Sequence, residues 1–182
     1  MEIRFDEQVA IVTGAGRGLG RAHAIAMASK GAKVVVNDFS GSQEISENAN
    51  SVVEEIISAG GEAIANGANV ANFDQVQSMV NKTIDKWGRV DILVNNAGIL
   101  RDKTFLKMSV EDMREVIDVH LIGSLNCSKA VWETMREQNY GRIVLTSSSS
   151  GLYGNFGQTN YGAAKMAMLG IMNTLHLEGM KY

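Results

Sequence analysis

The 182-residue sequence contains no proline and a single cysteine, Cys127. Without proline, no loop of this chain can open on a proline–glycine pair. One cysteine excludes an internal disulfide, and no Cys/His cluster has zinc-ligand spacing, so no metal site is expected. Neither charge sign dominates: 17 basic residues face 20 acidic ones, for a net charge of −3, which argues against a nucleic-acid surface. No apolar run is long enough to span a bilayer. Met1 to Glu7 carries three acids and one arginine, the wrong pattern for a secretory signal. The expectation is a soluble, cytoplasmic protein with no membrane or nucleic-acid partner.

The length suits one domain (1–182), and 45% hydrophobic residues suffice for a core. Short β-branched runs alternate with helical patterns. Val9 to Thr13, Lys33 to Asn37, Glu62 to Ala65, Val90 to Val94 and Arg142 to Thr146 read as five strands. Several are apolar throughout, as in parallel strands covered on both faces. Helices are expected over Gly18 to Ser29, about Glu44 to Ala59, Phe73 to Trp87, Ser109 to Gln138, and from about Asn160 onward. This alternation predicts an α/β fold, a Rossmann-type doubly wound parallel sheet. Ser109 to Gln138 is long for a single helix, and Gly123 at its middle allows close packing on a neighbour. Phe39 to Asn50 reads as a loop running into a helix.

Thr13-Gly14-Ala15-Gly16-Arg17-Gly18-Leu19-Gly20 ends the first strand and opens the first helix. Glycines permit a tight turn and close approach to a pyrophosphate, and the helix start offers free N–H groups. The strand before and the helix after are the context such a motif requires. Asp38 ends the second strand 18 residues after Gly20, near the distance for an acid that binds the adenine-ribose hydroxyls. A carboxylate there repels a 2′-phosphate and favours NAD over NADP. Arg17 pulls the other way, and the spacing of Asp38 outweighs it.

Tyr161 and Lys165 lie four residues apart, on one face if helical. A free phenol ionises only near pH ~10, and a neighbouring ammonium ion makes it a better proton shuttle. Upstream, a strand ends in Thr146-Ser147-Ser148-Ser149-Ser150-Gly151, and strand C-termini are where ligands sit in open α/β sheets. A serine hydroxyl there can hydrogen-bond a substrate oxygen, but the run itself does not choose among the four.

The glycine loop, Asn95-Asn96-Ala97-Gly98 after the fourth strand, the serine run and Tyr161-x-x-x-Lys165 appear together in order across the chain. The sequence thereby resembles the short-chain dehydrogenase/reductase family. The resemblance implies that Ser148, thirteen residues before Tyr161, is the catalytic serine. It implies that Lys165 also holds the nicotinamide ribose, with Gly14, Arg17, Gly18, Leu19, Gly20, Asn96, Ala97, Gly98 and Tyr161 around the cofactor. Asn69-Val70 stands where the family has Asp-Val contacting adenine, and an asparagine can still accept from the adenine amino group. His120 stands where the family carries a relay asparagine. It could take that role, since it titrates near neutral pH, or be a packed helix residue.

Gly141 to Ile143, Tyr153 to Gln158 and Ala164-Lys165, with Asn37-Asp38 and His120, are similar to the (3R)-hydroxyacyl-CoA dehydrogenase unit of peroxisomal multifunctional enzyme type two and its bacterial relatives. That likeness implies NAD-dependent oxidation of a (3R)-3-hydroxyacyl-CoA, and a peroxisomal setting if the chain belongs to a longer eukaryotic protein. Arg101, Lys103 and Lys107 then either meet the CoA phosphates or form a solvated basic loop. Two alternatives stand: a 3-ketoacyl-carrier-protein reductase, and a cofactor-binding fragment or interaction module without turnover. Family members continue past the lysine helix with two strands and a substrate-covering loop that opens on proline–glycine. The expectation is a chain truncated at its C-terminus, homo-oligomeric when full-length. Met166, Met168, Met172, Trp87 and Trp132 read as packing residues. His23 and His176 receive no role.

Overall fold

A computed structural model describes residues 3–42 and 44–182. Five strands form one parallel sheet: β1 (Val9–Thr13), β2 (Lys33–Asn37), β3 (Glu62–Asn66), β4 (Ile92–Asn95) and β5 (Arg142–Leu145). Their order is β3-β2-β1-β4-β5, so the winding direction reverses between β1 and β4. The helices are α1 (Gly18–Ser29), α2 (Glu47–Ser58), α3 (Phe73–Trp87), α4 (Val110–Ile117), α5 (Gly123–Glu137), α6 (Ser149–Tyr153) and α7 (Thr159–Gly179). Among the described residues, no helix is long and apolar enough to cross a membrane.

Every residue of β1 is buried, because both faces of the sheet are covered. Side chains alternate between the two faces. Ala10 and Val12, with Val34, Val36 and Val94, join one core cluster with Ala24 of α1 and Val52 of α2. Ile11, Val35 and Leu93 join the other with Val76 of α3 and Val131 of α5.

Side-chain caps start several helices. Ser46 accepts from the Ala49 N–H at the start of α2, and Asn72 accepts from Gln75 N–H at the start of α3. Ser109 and Asp112 form a reciprocal capping box on α4.

Several elements differ from the sequence reading. α2 begins at Glu47 rather than Glu44, where the Ser46 cap sets it. β4 begins at Ile92 rather than Val90, because Val90 N–H turns to the Gln138 side chain. β3 gains Asn66, which pairs with Asn37, and β5 stops at Leu145. Ser109 to Gln138 is α4 and α5 joined by a π-turn, Asp118–Ile122. The serine run leads into α6, which Ser148 caps. Gly123 does permit close packing: a Cβ there would lie 2.7 Å from Val70 Cγ2.

Candidate active site

The site forms at the carboxyl ends of β1 and β4, where ligands lodge in an open α/β sheet. Thr13, the last residue of β1, is buried, and its Oγ1 accepts from both Asn96 N–H and Ala97 N–H at 3.0 Å. Asn96 Nδ2 donates to the Thr13 and Gly14 carbonyls at 2.9 and 3.1 Å. The glycine loop and the β4 turn are thus tied face to face. Gly14 has φ +62°, and a Cβ there would sit 2.8 Å from Ala97 Cα. A Cβ on Gly20 would lie 2.5 Å from Asn96 Nδ2. A side chain at either position would fill the cradle.

Arg17 begins α1 in extended conformation and provides no side-chain cap. Gly18, Arg17 and Leu19 are exposed and Gly20 is buried. The first-turn N–H groups of α1 lack intrahelical partners by geometry, and they carry partial positive charge. This combination fits the pyrophosphate of a dinucleotide, with backbone donors at the helix start and glycines where the ligand must come close.

Asp38 follows β2 and is half-buried. Its backbone N–H donates to Asn66 O at 2.9 Å, and its Oδ2 accepts from Ser46 Oγ at 2.7 Å. Asn69 lies beyond β3, and its Oδ1 accepts from Ala71 N–H at 3.0 Å in a local turn. Val70 is buried in the core against Gly123, and its carbonyl accepts from Asn126 Nδ2 at 3.0 Å. Its side chain belongs to the interior rather than to the cleft.

α7 carries Tyr161 and Lys165. Lys165 is buried, its Nζ donates to Thr146 O at 2.7 Å, and it lies 5.6 Å from the Tyr161 ring centroid. Burial pulls the ammonium pKa down to about 8. The serine run is divided by its bonds. Ser147 Oγ donates to Lys165 O at 2.8 Å, and Ser150 Oγ donates to Gln158 Oε1 at 2.9 Å. Ser149 is exposed. Ser148 Oγ accepts from Ser150 N–H at 3.2 Å, which leaves its own proton for another acceptor.

His120 sits in the π-turn, buried, with its ring edge-on to Tyr161 at 5.1 Å and 88°. Its Nε2 lies 2.8 Å from Ile99 O and 3.1 Å from Ile99 N, and its Nδ1 has no partner among the described residues. Burial pulls its pKa down to about 4, so the ring is neutral at neutral pH. Gly98 leaves room for it, since a Cβ there would overlap His120 Cε1.

Sequence reasoning missed several residues that hold this arrangement. Asn160 is buried and donates to Asp112 O at 3.1 Å, pinning the start of α7 to α4. Gln158 donates to Asp102 at 2.8 Å, and Lys103 N–H donates to Gly157 O at 3.0 Å. Polar side chains just before Tyr161 were the available signal, but spacing alone gives them no partner. Arg101 pairs with Glu115 and Lys103 with Asp112, so two of the three loop cations are engaged within the chain. A groove of about 570 Å³ lies elsewhere, between α5, β5 and the end of α7, walled by Trp132, Met135, Ile143, Leu145, Met172 and Met180. None of the predicted site residues lines it. Among the described residues, no His, Cys, Asp and Glu side chains gather to hold a metal.

This geometry has counterparts. The chain is 51% identical to peroxisomal multifunctional enzyme type 2 of Drosophila melanogaster, over 99% of this chain and 30% of that enzyme. It is 50% identical to a 3-oxoacyl-[acyl-carrier-protein] reductase of Synechocystis, over 94% of this chain and 68% of that one. A solved 7α-hydroxysteroid dehydrogenase, complexed with NADH and 7-oxo glycochenodeoxycholic acid, superposes with a TM-score of 0.89 at 32% identity, covering 97% of this chain and 67% of that one. The chain therefore spans under a third of the Drosophila relative and about two thirds of the other two. Residues 8–182 match the family model described as short chain dehydrogenase, and the chain belongs to that family.

Proposed function

We propose that this chain oxidises a (3R)-3-hydroxyacyl-CoA to the 3-ketoacyl-CoA with NAD. The observation that carries the reading is the buried Lys165 ammonium, 5.6 Å from the Tyr161 ring beside the serine run. A bound nicotinamide dinucleotide supplies the hydride acceptor. Tyr161, acting as general base from its phenolate form, takes the substrate hydroxyl proton and becomes the phenol, and the Lys165 cation favours the phenolate before that transfer. Ser148 uses its free O–H to hydrogen-bond the substrate oxygen and keeps its own proton. His120, uncharged and edge-on to the phenol, bounds the Tyr161 ring without competing for the proton at neutral pH.

Asp38 supports NAD, because a carboxylate at the end of β2 accepts from ribose hydroxyls and repels a phosphate in their place. Lys107 is exposed and has no ion-pair partner among the described residues, which leaves it for a CoA phosphate. Exposed Leu106, Tyr153 and Phe156 supply apolar surface for an acyl chain on the segments flanking Lys103 and Gly157.

One observation favours a second reading. Exposed Arg17 at the start of α1 suits the extra phosphate of NADPH, which would fit a 3-ketoacyl reductase. The test offers the protein a (3R)-3-hydroxyacyl-CoA with NAD or NADP, and a 3-ketoacyl thioester with NADPH, while following NAD(P)H absorbance. NADH formation that disappears in Tyr161→Phe is the expected result. Preference for NADPH selects the reductase. Cofactor binding without turnover in any arm overturns both and leaves a cofactor-binding module.

A further inference from the structure

Three parts of the fold converge on the Asp38 carboxylate. It follows β2 directly, and its N–H is held by Asn66 O at 2.9 Å. A Cβ on Gly16 would overlap its Oδ2 and come within 2.8 Å of Asn48 Cβ. The carboxylate is therefore wedged between the glycine loop and the first turn of α2. Ser46, 5% exposed, faces it from the α2 side. The Ser46 hydroxyl works in both directions: it donates to Asp38 Oδ2 at 2.7 Å and accepts from Ala49 N–H at 3.0 Å. Asp38 Oδ1 has no hydrogen bond within the chain among the described residues.

We propose that Ser46 is a positioning residue for cofactor choice: its hydroxyl occupies one Asp38 oxygen, fixes the carboxylate rotamer, and leaves the other oxygen for the adenine-ribose 2′-hydroxyl. The inference rests on the reading of Asp38 as the ribose acid. A charge-assisted bond of this length is among the stronger polar contacts in a protein. Holding the acceptor in place beforehand removes an ordering cost from binding. The Ala49 N–H uses a lone pair of the same oxygen, so the orientation of the hydroxyl is set by the start of α2. Cofactor binding at Asp38 and the order of α2's first turn are linked through one atom. A helix cap alone would need an acceptor at position 46 but no donor.

That difference provides the test. Titrations measure NADH, NADPH and an NADH analogue lacking the adenine-ribose 2′-hydroxyl against the unmodified chain, Ser46→Ala, Ser46→Thr, Ser46→Gly and Asp38→Ala, with melting curves for each. Glycine at a helix start costs little stability relative to serine, and it has no hydroxyl to donate to Asp38. Ser46→Gly should melt near the unmodified chain and bind NADH about tenfold more weakly, a difference of about 1.4 kcal/mol. Ser46→Ala should show a similar loss for NADH and little change for the 2′-deoxy analogue, with Ser46→Thr restoring binding. The NADH-to-NADPH preference should narrow in both weakened variants. Equal losses for NADH and the analogue, or a lowered melting temperature with NADH affinity intact, would overturn the proposal and leave Ser46 a helix cap. NADH affinity unchanged in Asp38→Ala would overturn the underlying reading as well. A loss in Asp38→Ala with none in the Ser46 variants would remove the Ser46 link alone.

Discussion

The two ends of the sheet treat their polar groups in opposite ways. At the amino end, Asp91 is fully buried, and its Oδ2 accepts from Val9 N–H at 2.9 Å. Its backbone N–H and carbonyl bond Val9 O and Arg142 N–H at 2.9 and 2.8 Å, and Arg89 grips the carboxylate at 2.8 and 2.7 Å. One residue thus joins β1, β4 and β5, with its hydrogen-bonding groups used within the chain. At the carboxyl end, α1 starts without a side-chain cap, Ser148 keeps a spare proton, and His120 Nδ1 is buried without a partner among the described residues. Buried polar groups are normally satisfied. The same strands therefore close themselves at one end and leave bonding capacity for a ligand at the other.

Variants at the two ends should separate stability from activity. The largest effect is expected from Tyr161→Phe. The oxidation rate should fall about 10²–10⁴-fold, the range for losing a general acid–base group, with NADH affinity and melting temperature nearly unchanged. Steady-state kinetics beside calorimetry would check this, and a large melting shift would break the contrast. Asp91→Ala should do the reverse. Denaturant titration should show a loss of about 3 kcal/mol, because the Arg89 charge and the Val9 donor lose their acceptor, while NADH affinity per folded molecule is kept.

Thr13→Val tests the boundary between the two behaviours. It removes the acceptor for two backbone N–H groups in the buried clamp, so stability should fall by about 1–3 kcal/mol. NADH affinity should fall with it, since the clamp sets the distance between the glycine loop and the β4 turn. A further effect is expected in the pH dependence of stability. His120 titrates at about 4 when folded, against an ordinary value of 6.5. Between those values the unfolded chain binds more protons, so stability should rise with pH across that window and be lost as pH falls through it. His120→Asn should flatten that part of the profile in denaturant titrations at several pH values.

Much of the fold was legible because its signals are local. β-branched runs marked the strands, and the α1 and α3 boundaries match to the residue. Asp118–Ile122 was illegible as a π-turn, since nothing in its composition separates it from the helices on either side. α6 was hidden in a serine run that reads as a polar turn. In the site, the positions of Tyr161 and Lys165 followed from four-residue spacing. The division of labour among Ser147, Ser148, Ser149 and Ser150 depends on partners 8 to 18 residues away, such as Gln158 and Lys165.

The sequence alone determined the strand–helix alternation, the glycine turn and the pairing of a phenol with an amine on one helix face. These depend on side-chain period and backbone freedom, which act over a few residues. Tertiary structure decided the rest: that Val70 faces the core, that His120 is an uncharged neighbour of Tyr161, and that Ser46 holds Asp38. Each of those depends on burial or on a hydrogen bond between segments that come together only when the sheet winds.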